Sequence, residues 1–200
     1  MSTNRLLTLA LLSALLLTLT ACIGGKTPPS QFYLLEPIRG AEPAAETGKL
    51  VIAFAPVRIP PYVDRPQIVT ATDRNTYELS ELHRWAERLD DNIARVLSQN
   101  LSVLVPADLV PLNASNLAKL SAFRLTVNIL EFHVDPQGQA RLVAQWRIAR
   151  GENIVVSRQA AYREPASITD YRVIAGALNT CLNRFSRDMA VVLRNLAADR

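Results

Sequence analysis

Histidine, cysteine and glycine are scarce in this 200-residue sequence, which contains two histidines, two cysteines and seven glycines. His83 and His133 lie far apart in the chain, and neither belongs to an H-E-x-x-H, C-x-x-C or comparable ligand cluster. Two cysteines cannot build a framework of several disulfide bonds. Gly24-Gly25 lacks the adjoining strand and helix of a phosphate-binding loop. These absences argue against a metal centre, a nucleotide-binding site and a disulfide-stabilised scaffold.

A large excess of one charge is also missing, because 22 Lys and Arg face 18 Asp and Glu, for a formal net charge of +4. The basic residues are scattered among acidic ones instead of lining one face, so we predict no nucleic-acid partner. Asp90-Asp91 is a pair of carboxylates, but adjacent residues of a helix point about 100° apart and do not converge on one substrate atom. We therefore predict no enzyme, no catalytic residue, no metal and no cofactor.

The N-terminus carries a short hydrophobic run between a basic start and a cysteine. Arg5 is followed by a leucine-rich stretch over residues 6–19, which is shorter than the about 20 apolar residues of a membrane-spanning helix. Leu19-Thr20-Ala21-Cys22 then fits the lipobox, whose thiol takes a diacylglyceryl group before cleavage. We predict a lipoprotein signal peptide over residues 1–21 and lipid attachment, palmitate included, at Cys22. An ordinary secretory peptide with a chance cysteine is the alternative.

The remainder divides into a lipidated tether over residues 22–31 and one periplasmic domain over residues 32–200. Fully extended, the tether beyond Cys22 reaches at most about 30 Å, so the body is expected to sit close to its membrane. The domain is long enough for a full hydrophobic core. With Cys22 committed to lipid, Cys181 has no intramolecular partner. A buried core thiol is favoured there over a reactive or intermolecular one.

Hydrophobic patterning within the domain predicts both strands and helices. Short strands are expected over residues 32–35, 50–55, 67–72 and 75–79, and three longer ones over 123–162. The 50–55 strand is apolar on both faces and therefore central. A bulge is expected near Leu130-Glu131, and Asp135-Pro136-Gln137-Gly138 has the composition of a turn.

Two long helices are predicted from apolar residues at helical spacing. The first runs from Ser80, a plausible N-cap, to about residue 105, and the second from about Thr169 almost to the end. A loop containing Pro111 is expected between the first helix and the three longer strands. The predicted fold is a single α+β domain, with a mixed, mostly antiparallel sheet and two long helices packed on it.

Two segments have the composition of a binding surface. Prolines frame Tyr62, Asp64, Arg65, Pro66 and Gln67, and a stiff segment loses little entropy when a partner docks. A second segment contains Arg84, Trp85 and Glu87, and Trp and Arg are enriched at interface hot spots. Equally, Tyr62 and Trp85 could pack on each other inside the domain, with Arg65 or Arg84 in an internal ion pair.

These segments resemble a known family, the ABC-type transport auxiliary lipoproteins of the paraquat-inducible protein C type. The resemblance covers the lipobox at Cys22, the strings Phe32-Tyr33-Leu34-Leu35 and Asp64-Arg65-Pro66-Gln67-Ile68-Val69, then Arg84-Trp85-Ala86-Glu87 and the closing helix. Many members have Leu where this chain has Val63, and Pro where it has Arg88. Both departures are mild.

The resemblance implies a non-catalytic, auxiliary role in intermembrane phospholipid transport. Such a lipoprotein would be anchored in the outer membrane, face the periplasm and dock on an MCE-domain protein, as a ring of identical subunits. Ile23 is not Asp, so the usual signal for retention in the inner membrane is missing. The alternative is a lipid-carrying protein whose sheet and last helix enclose an acyl-sized cavity.

Overall fold

The structure, a computed structural model, describes residues 28–40, 50–112 and 123–198. The predicted signal peptide, Cys22 and most of the predicted tether lie outside the described residues. The described chain forms eight strands and two helices. The strands are β1 (Gln31–Tyr33), β2 (Leu50–Phe54), β3 (Gln67–Asp73), β4 (Thr76–Trp85), β5 (Ala107–Pro111), β6 (Phe123–Val134), β7 (Gln139–Arg150) and β8 (Asn153–Pro165). The helices are α1 (Leu89–Leu104) and α2 (Tyr171–Ala198).

All eight strands belong to one mixed sheet. Six of them follow the order β1-β4-β3-β6-β2-β5; β7 also pairs with β6, and β8 pairs with β7. The α+β class and the single domain are confirmed. The expectation of a mostly antiparallel sheet is wrong. Four strand interfaces in the described chain are parallel (β1–β4, β2–β5, β2–β6 and β3–β6), and three are antiparallel (β3–β4, β6–β7 and β7–β8).

The antiparallel part is the meander β6–β7–β8, and its details follow local sequence. The register of β6 against β7 shifts between Ile129 and Glu131, which confirms the predicted bulge. At the β6–β7 turn the Gly138 amide donates to the Asp135 carbonyl over 3.0 Å, and Gly138 has a φ of +72°. A left-handed residue is needed at that point, and glycine adopts this conformation without a Cβ clash.

The first predicted helix begins too early. Residues 80–85 continue β4, which is held between β1 and β3, and the helix starts only at Leu89. Arg88 precedes it, without a side-chain cap. Hydrogen bonds from two neighbouring strands outweigh the helical spacing of Leu82, Trp85 and Leu89. Strand β5, expected to be part of a loop, pairs in parallel with β2.

The helices complete one hydrophobic core. Helix α2 packs on β6, β7 and β8, and α1 packs on α2 and β5. The apolar stripe of α2 is almost fully buried: Ile174, Leu178, Cys181, Leu182, Phe185, Met189 and Leu193. Cys181 is fully buried, which confirms the predicted core thiol, and this burial raises the pKa of the thiol to about 12. No helix among the described residues is long and apolar enough to cross a membrane.

Asparagine side chains fasten the segment after β1 to both helices. On α1, the Oδ1 of Asn92 accepts from the Leu35 amide at 3.1 Å, and that of Asn100 accepts from the Ile38 amide at 2.8 Å. On α2, Asn179 Oδ1 accepts from the amide of Glu36 at 2.8 Å. Leu35 itself is fully buried. The N-terminal segment of the domain is therefore an integral part of the helix layer.

Candidate docking site

The two segments that resemble the family lie side by side in the structure. The amide of Trp85 donates to the carbonyl of Pro66 over 2.7 Å, and Gln67 is the antiparallel partner of Arg84. Upstream, a turn is closed by the Asp64 amide donating to the Pro60 carbonyl over 3.2 Å. Pairing of β3 with β4 thus brings together residues that are about 20 positions apart in sequence.

A shallow groove of about 370 Å³ lies between the two segments. We call it the docking groove, and its lining residues are Asp64, Arg65, Pro66, Trp85, Ala86, Glu87, Arg88 and Leu89. Trp85 and Leu89 are buried, whereas Asp64, Pro66, Ala86 and Arg88 are exposed. The groove therefore combines a fixed apolar floor with an accessible rim that carries charged residues, as in the core and rim of a protein interface.

Trp85 belongs to the hydrophobic core. Its exposed fraction is 5%, and its ring centroid lies 6.2 Å from that of Phe132 on β6. Little of the ring is accessible to a partner, and its role as a partner-contacting residue stays a prediction. The alternative of a Trp85–Tyr62 pair is not observed, since Tyr62 packs elsewhere.

Tyr62 lies against a separate cluster with Tyr77 and His133. Its hydroxyl is 3.0 Å from Nδ1 of His133, and its ring centroid is 5.0 Å from that of Tyr77. Burial raises the pKa of Tyr62 to about 12, and burial lowers the pKa of His133 below its usual range. A neutral His133 can thus accept from the Tyr62 hydroxyl. This cluster lies outside the residues that line the docking groove, and the role of Tyr62 in partner binding stays a prediction.

The guanidinium group of Arg65 is only partly hydrogen-bonded within the described residues. Its side chain is half-buried, and Nη2 donates to the Pro61 carbonyl at 3.5 Å. Its Nε is buried and has no hydrogen-bond partner among the described residues. An unpaired buried donor costs about 1–3 kcal/mol, more when it is charged.

Arg88 gathers three carboxylates at the rim. Its guanidinium forms two hydrogen bonds with Asp90, of 2.8 and 3.1 Å, and lies 3.5 Å from Asp91 and 4.0 Å from Asp64. The hydrogen bond from Arg88 lowers the pKa of the Asp90 carboxyl. Asp90 and Asp91 also lie in the first turn of α1, where their negative charges interact favourably with the positive end of the helix dipole. Sequence reasoning did not single out Arg88 as a site residue.

The remaining predicted residues pair within the domain. Glu87 accepts two hydrogen bonds from Arg95, of 2.7 and 3.0 Å, and Arg95 also donates to the Leu35 carbonyl. Gln67 and Arg84 both donate to the side chain of Glu81, at distances of 3.1–3.4 Å. Of the eight residues proposed from sequence, Asp64, Arg65, Pro66 and Glu87 line the groove and are at least partly accessible.

Comparison with known proteins gives the class first. Two crystal structures share this fold. The first, of an uncharacterized protein, is 18% identical, has a TM-score of 0.70 and covers 83% of this chain and 99% of that one. The second, of a DUF330 protein from Xanthomonas campestris, is 13% identical, has a TM-score of 0.67 and covers 86% of this chain and 100% of that one. At these identities the likeness shows the fold alone. A search of curated proteins gave no match.

The family is then defined by the sequence. Residues 33–190 match the model of the ABC-type transport auxiliary lipoprotein component. The match spans most of the chain, and the protein belongs to this family. Membership makes it an auxiliary component of a transport system, of the membrane-anchored lipoprotein class. Both segments of the docking groove lie inside the matched range.

Proposed function

We propose that this protein is a non-catalytic auxiliary lipoprotein of an MCE-type intermembrane phospholipid transport system, anchored in the outer membrane through Cys22 and facing the periplasm. Family membership supports the auxiliary role. The lipobox supports the anchor, and Ile23 in place of Asp supports the outer membrane as its destination. The lipoprotein would act by binding an MCE-domain protein.

The observation that carries the docking proposal is the groove in which both family-like segments meet. Its floor is fixed by Trp85 and the β3–β4 pairing, so the rim loses little conformational freedom on binding. Arg65 brings a half-buried guanidinium group to this rim, and Asp64 and Arg88 bring charges of both signs. A partner segment with a carboxylate or a free carbonyl fits this arrangement.

Arg65→Ala is expected to weaken binding of the MCE-domain partner about tenfold or more, because a hydrogen bond from a charged group contributes about 1.5–3 kcal/mol. The measurement is retention of the MCE-domain protein by the full lipidated chain, titrated on immobilised variant and native protein. Arg39→Ala is the matched control, since Arg39 is exposed and lies away from the groove. Equal retention by Arg65→Ala, Arg39→Ala and native protein would eliminate the groove as the docking site.

The same proposal includes a ring of identical subunits, for which β8 is the best-placed contact. Its 13 residues pair on one side with β7, and no strand in the described chain pairs with its other edge. Unpaired edges of this length readily accept another strand. We expect the detergent-solubilised protein to have the mass of several copies by mass photometry, reduced by Val155→Lys, which places a charge on exposed β8 surface. A single-chain mass for the native protein would contradict the ring.

The lipid-carrier alternative, with an acyl chain between the sheet and the last helix, is not favoured by the packing. The side chains of α2 that face the sheet fill that space and are almost fully buried. Helix α2 lines none of three concavities in the described part of the chain, which measure about 650, 520 and 370 Å³. An acyl chain would have to displace well-packed side chains to enter.

A further inference from the structure

An open concavity of about 650 Å³ lies on the meander, away from the docking groove. Its lining contains three arginines, Arg58, Arg124 and Arg147, and no acidic residue. We call it the arginine pocket. The other ten lining residues are uncharged. Along β6 and β7 its charged and polar residues alternate with buried ones, which places them on the sheet face turned away from the helices.

Strand register brings the three arginines close together. Arg147 on β7 is the direct partner of Thr126 on β6, so it is a diagonal neighbour of Arg124, at a typical separation of about 7–8 Å. Arg58 forms an isolated parallel bridge with Asn128, two residues further along β6. Three guanidinium groups can thus reach one common ligand.

None of these arginines is neutralised by the described part of the chain. No ion pair joins any of them to a described carboxylate. Arg124 makes one side-chain hydrogen bond, to the Gly151 carbonyl at 3.2 Å. Glu152, in the β7–β8 turn, does not line the pocket. Clustered like charges repel one another, and a bound anion removes that repulsion.

Apolar residues form part of the same pocket. Ala55, Pro56 and Leu112 line it together with Ile154, whose side chain is 59% exposed. An exposed isoleucine beside a cationic cluster suits a ligand with an anionic group attached to a hydrocarbon portion. A small inorganic anion would leave the apolar wall uncovered.

We infer that the arginine pocket binds the phosphate of an anionic phospholipid headgroup, with the first part of its acyl region against Ile154. Guanidinium groups match phosphate oxygens with paired hydrogen bonds. The volume lies within the range of about 300–1,000 Å³ that is usual for ligand pockets. A membrane-anchored protein has such headgroups in reach. The site is separate from the docking groove, so it stands or falls independently of MCE docking.

The test is native mass spectrometry of the full lipidated chain in a non-ionic detergent, with added phosphatidylglycerol, phosphatidylcholine or diacylglycerol. Phosphatidylglycerol is expected to bind best, because it combines a net negative phosphate with acyl chains. Arg124→Gln combined with Arg147→Gln is expected to reduce its bound fraction at least tenfold, and Ile154→Ser several-fold. In a second arm, inorganic phosphate is titrated by calorimetry.

The matched control is Arg158→Gln combined with Arg187→Gln, which removes the same charge from exposed positions outside the pocket. An equal loss in both double variants would overturn the proposal in favour of non-specific attraction. Inorganic phosphate binding as tightly as phosphatidylglycerol would overturn the lipid assignment and make free phosphate the ligand. Unchanged partner retention by the Arg124/Arg147 variant, measured as for Arg65→Ala, would show that the two sites are separate.

Discussion

Replacing Cys22 by serine is expected to abolish lipid attachment, because the hydroxyl cannot form the thioether that precedes cleavage. Each acyl methylene buried in the bilayer contributes about 0.8 kcal/mol, so two or three chains on Cys22 would hold the native protein firmly. The Cys22→Ser protein should incorporate no labelled palmitate and should keep residues 1–21. Palmitate labelling in cells and the intact mass of the purified protein measure the two effects.

Cys181→Ser is the control for the anchoring experiment, since it removes the other thiol of the sequence. It should be labelled and processed like the native protein, because Cys181 is buried in the core. Palmitate in the Cys22→Ser protein, or cleavage after residue 21, would refute the predicted anchor. Readouts of labelling and mass are preferable to simple fractionation, because an uncut signal peptide can itself associate with membranes.

Trp85→Ala is expected to lower the free energy of unfolding by about 3–5 kcal/mol, the usual cost of removing a buried Trp or Phe ring. The ring is 5% exposed and lies beside Phe132. Urea unfolding of the full chain, followed by circular dichroism, measures the loss. Circular dichroism is preferred because the substitution removes one of two tryptophans.

Phe32→Ala is the matched control for this core substitution. Phe32 is 64% exposed on the neighbouring strand β1, and truncation there should change stability by about 0.5 kcal/mol or less. A Trp85→Ala protein as stable as the native one would show that the ring is not a core element. Loss of partner binding in Trp85→Ala would therefore be hard to separate from loss of the fold, which is why Arg65 is the better test of docking.

The local sequence pattern was sufficient to predict the structure where strands that pair in the sheet also follow one another in the sequence. The bulge after Ile129 and the turn at Gly138 follow from alternation and turn chemistry. The stripe of α2 follows from its helical spacing. In these cases the conformation of each residue is determined mainly by residues close to it in the sequence.

Long-range pairing explains the errors. Strand β4 receives hydrogen bonds from β1, about 50 residues earlier, and from β3. Nothing in the spacing of Leu82, Trp85 and Leu89 reveals those partners, so a helix was predicted. Strand β5 is short, is bounded by Pro106 and Pro111, and pairs with the distant β2. Parallel pairs join distant segments by necessity, and for this reason the antiparallel share of the sheet was overestimated.

The candidate sites were predictable in unequal measure. The strings around Arg65 and Trp85 stood out in the sequence, but which side chains face outward depends on the pairing of β3 with β4. The arginine pocket was missed because its cations look scattered along the chain. The alternation of Arg124, Thr126 and Asn128 with buried residues was the available signal. Only the β6–β7 register reveals that Arg147 joins them.

The short ladder between β1 and β4 would connect the docking groove mechanically to the proposed lipid anchor at Cys22. Tyr33 is the partner of Trp85, and its carbonyl accepts from the Ala86 amide at 2.9 Å, so tension on a lipidated Cys22 would reach the groove floor directly. The contour length from Cys22 to Tyr33 is at most about 40 Å. With Cys22 at the bilayer, the groove cannot travel farther than that into the aqueous gap. Any partner rooted in a facing membrane must therefore bridge the remaining distance itself.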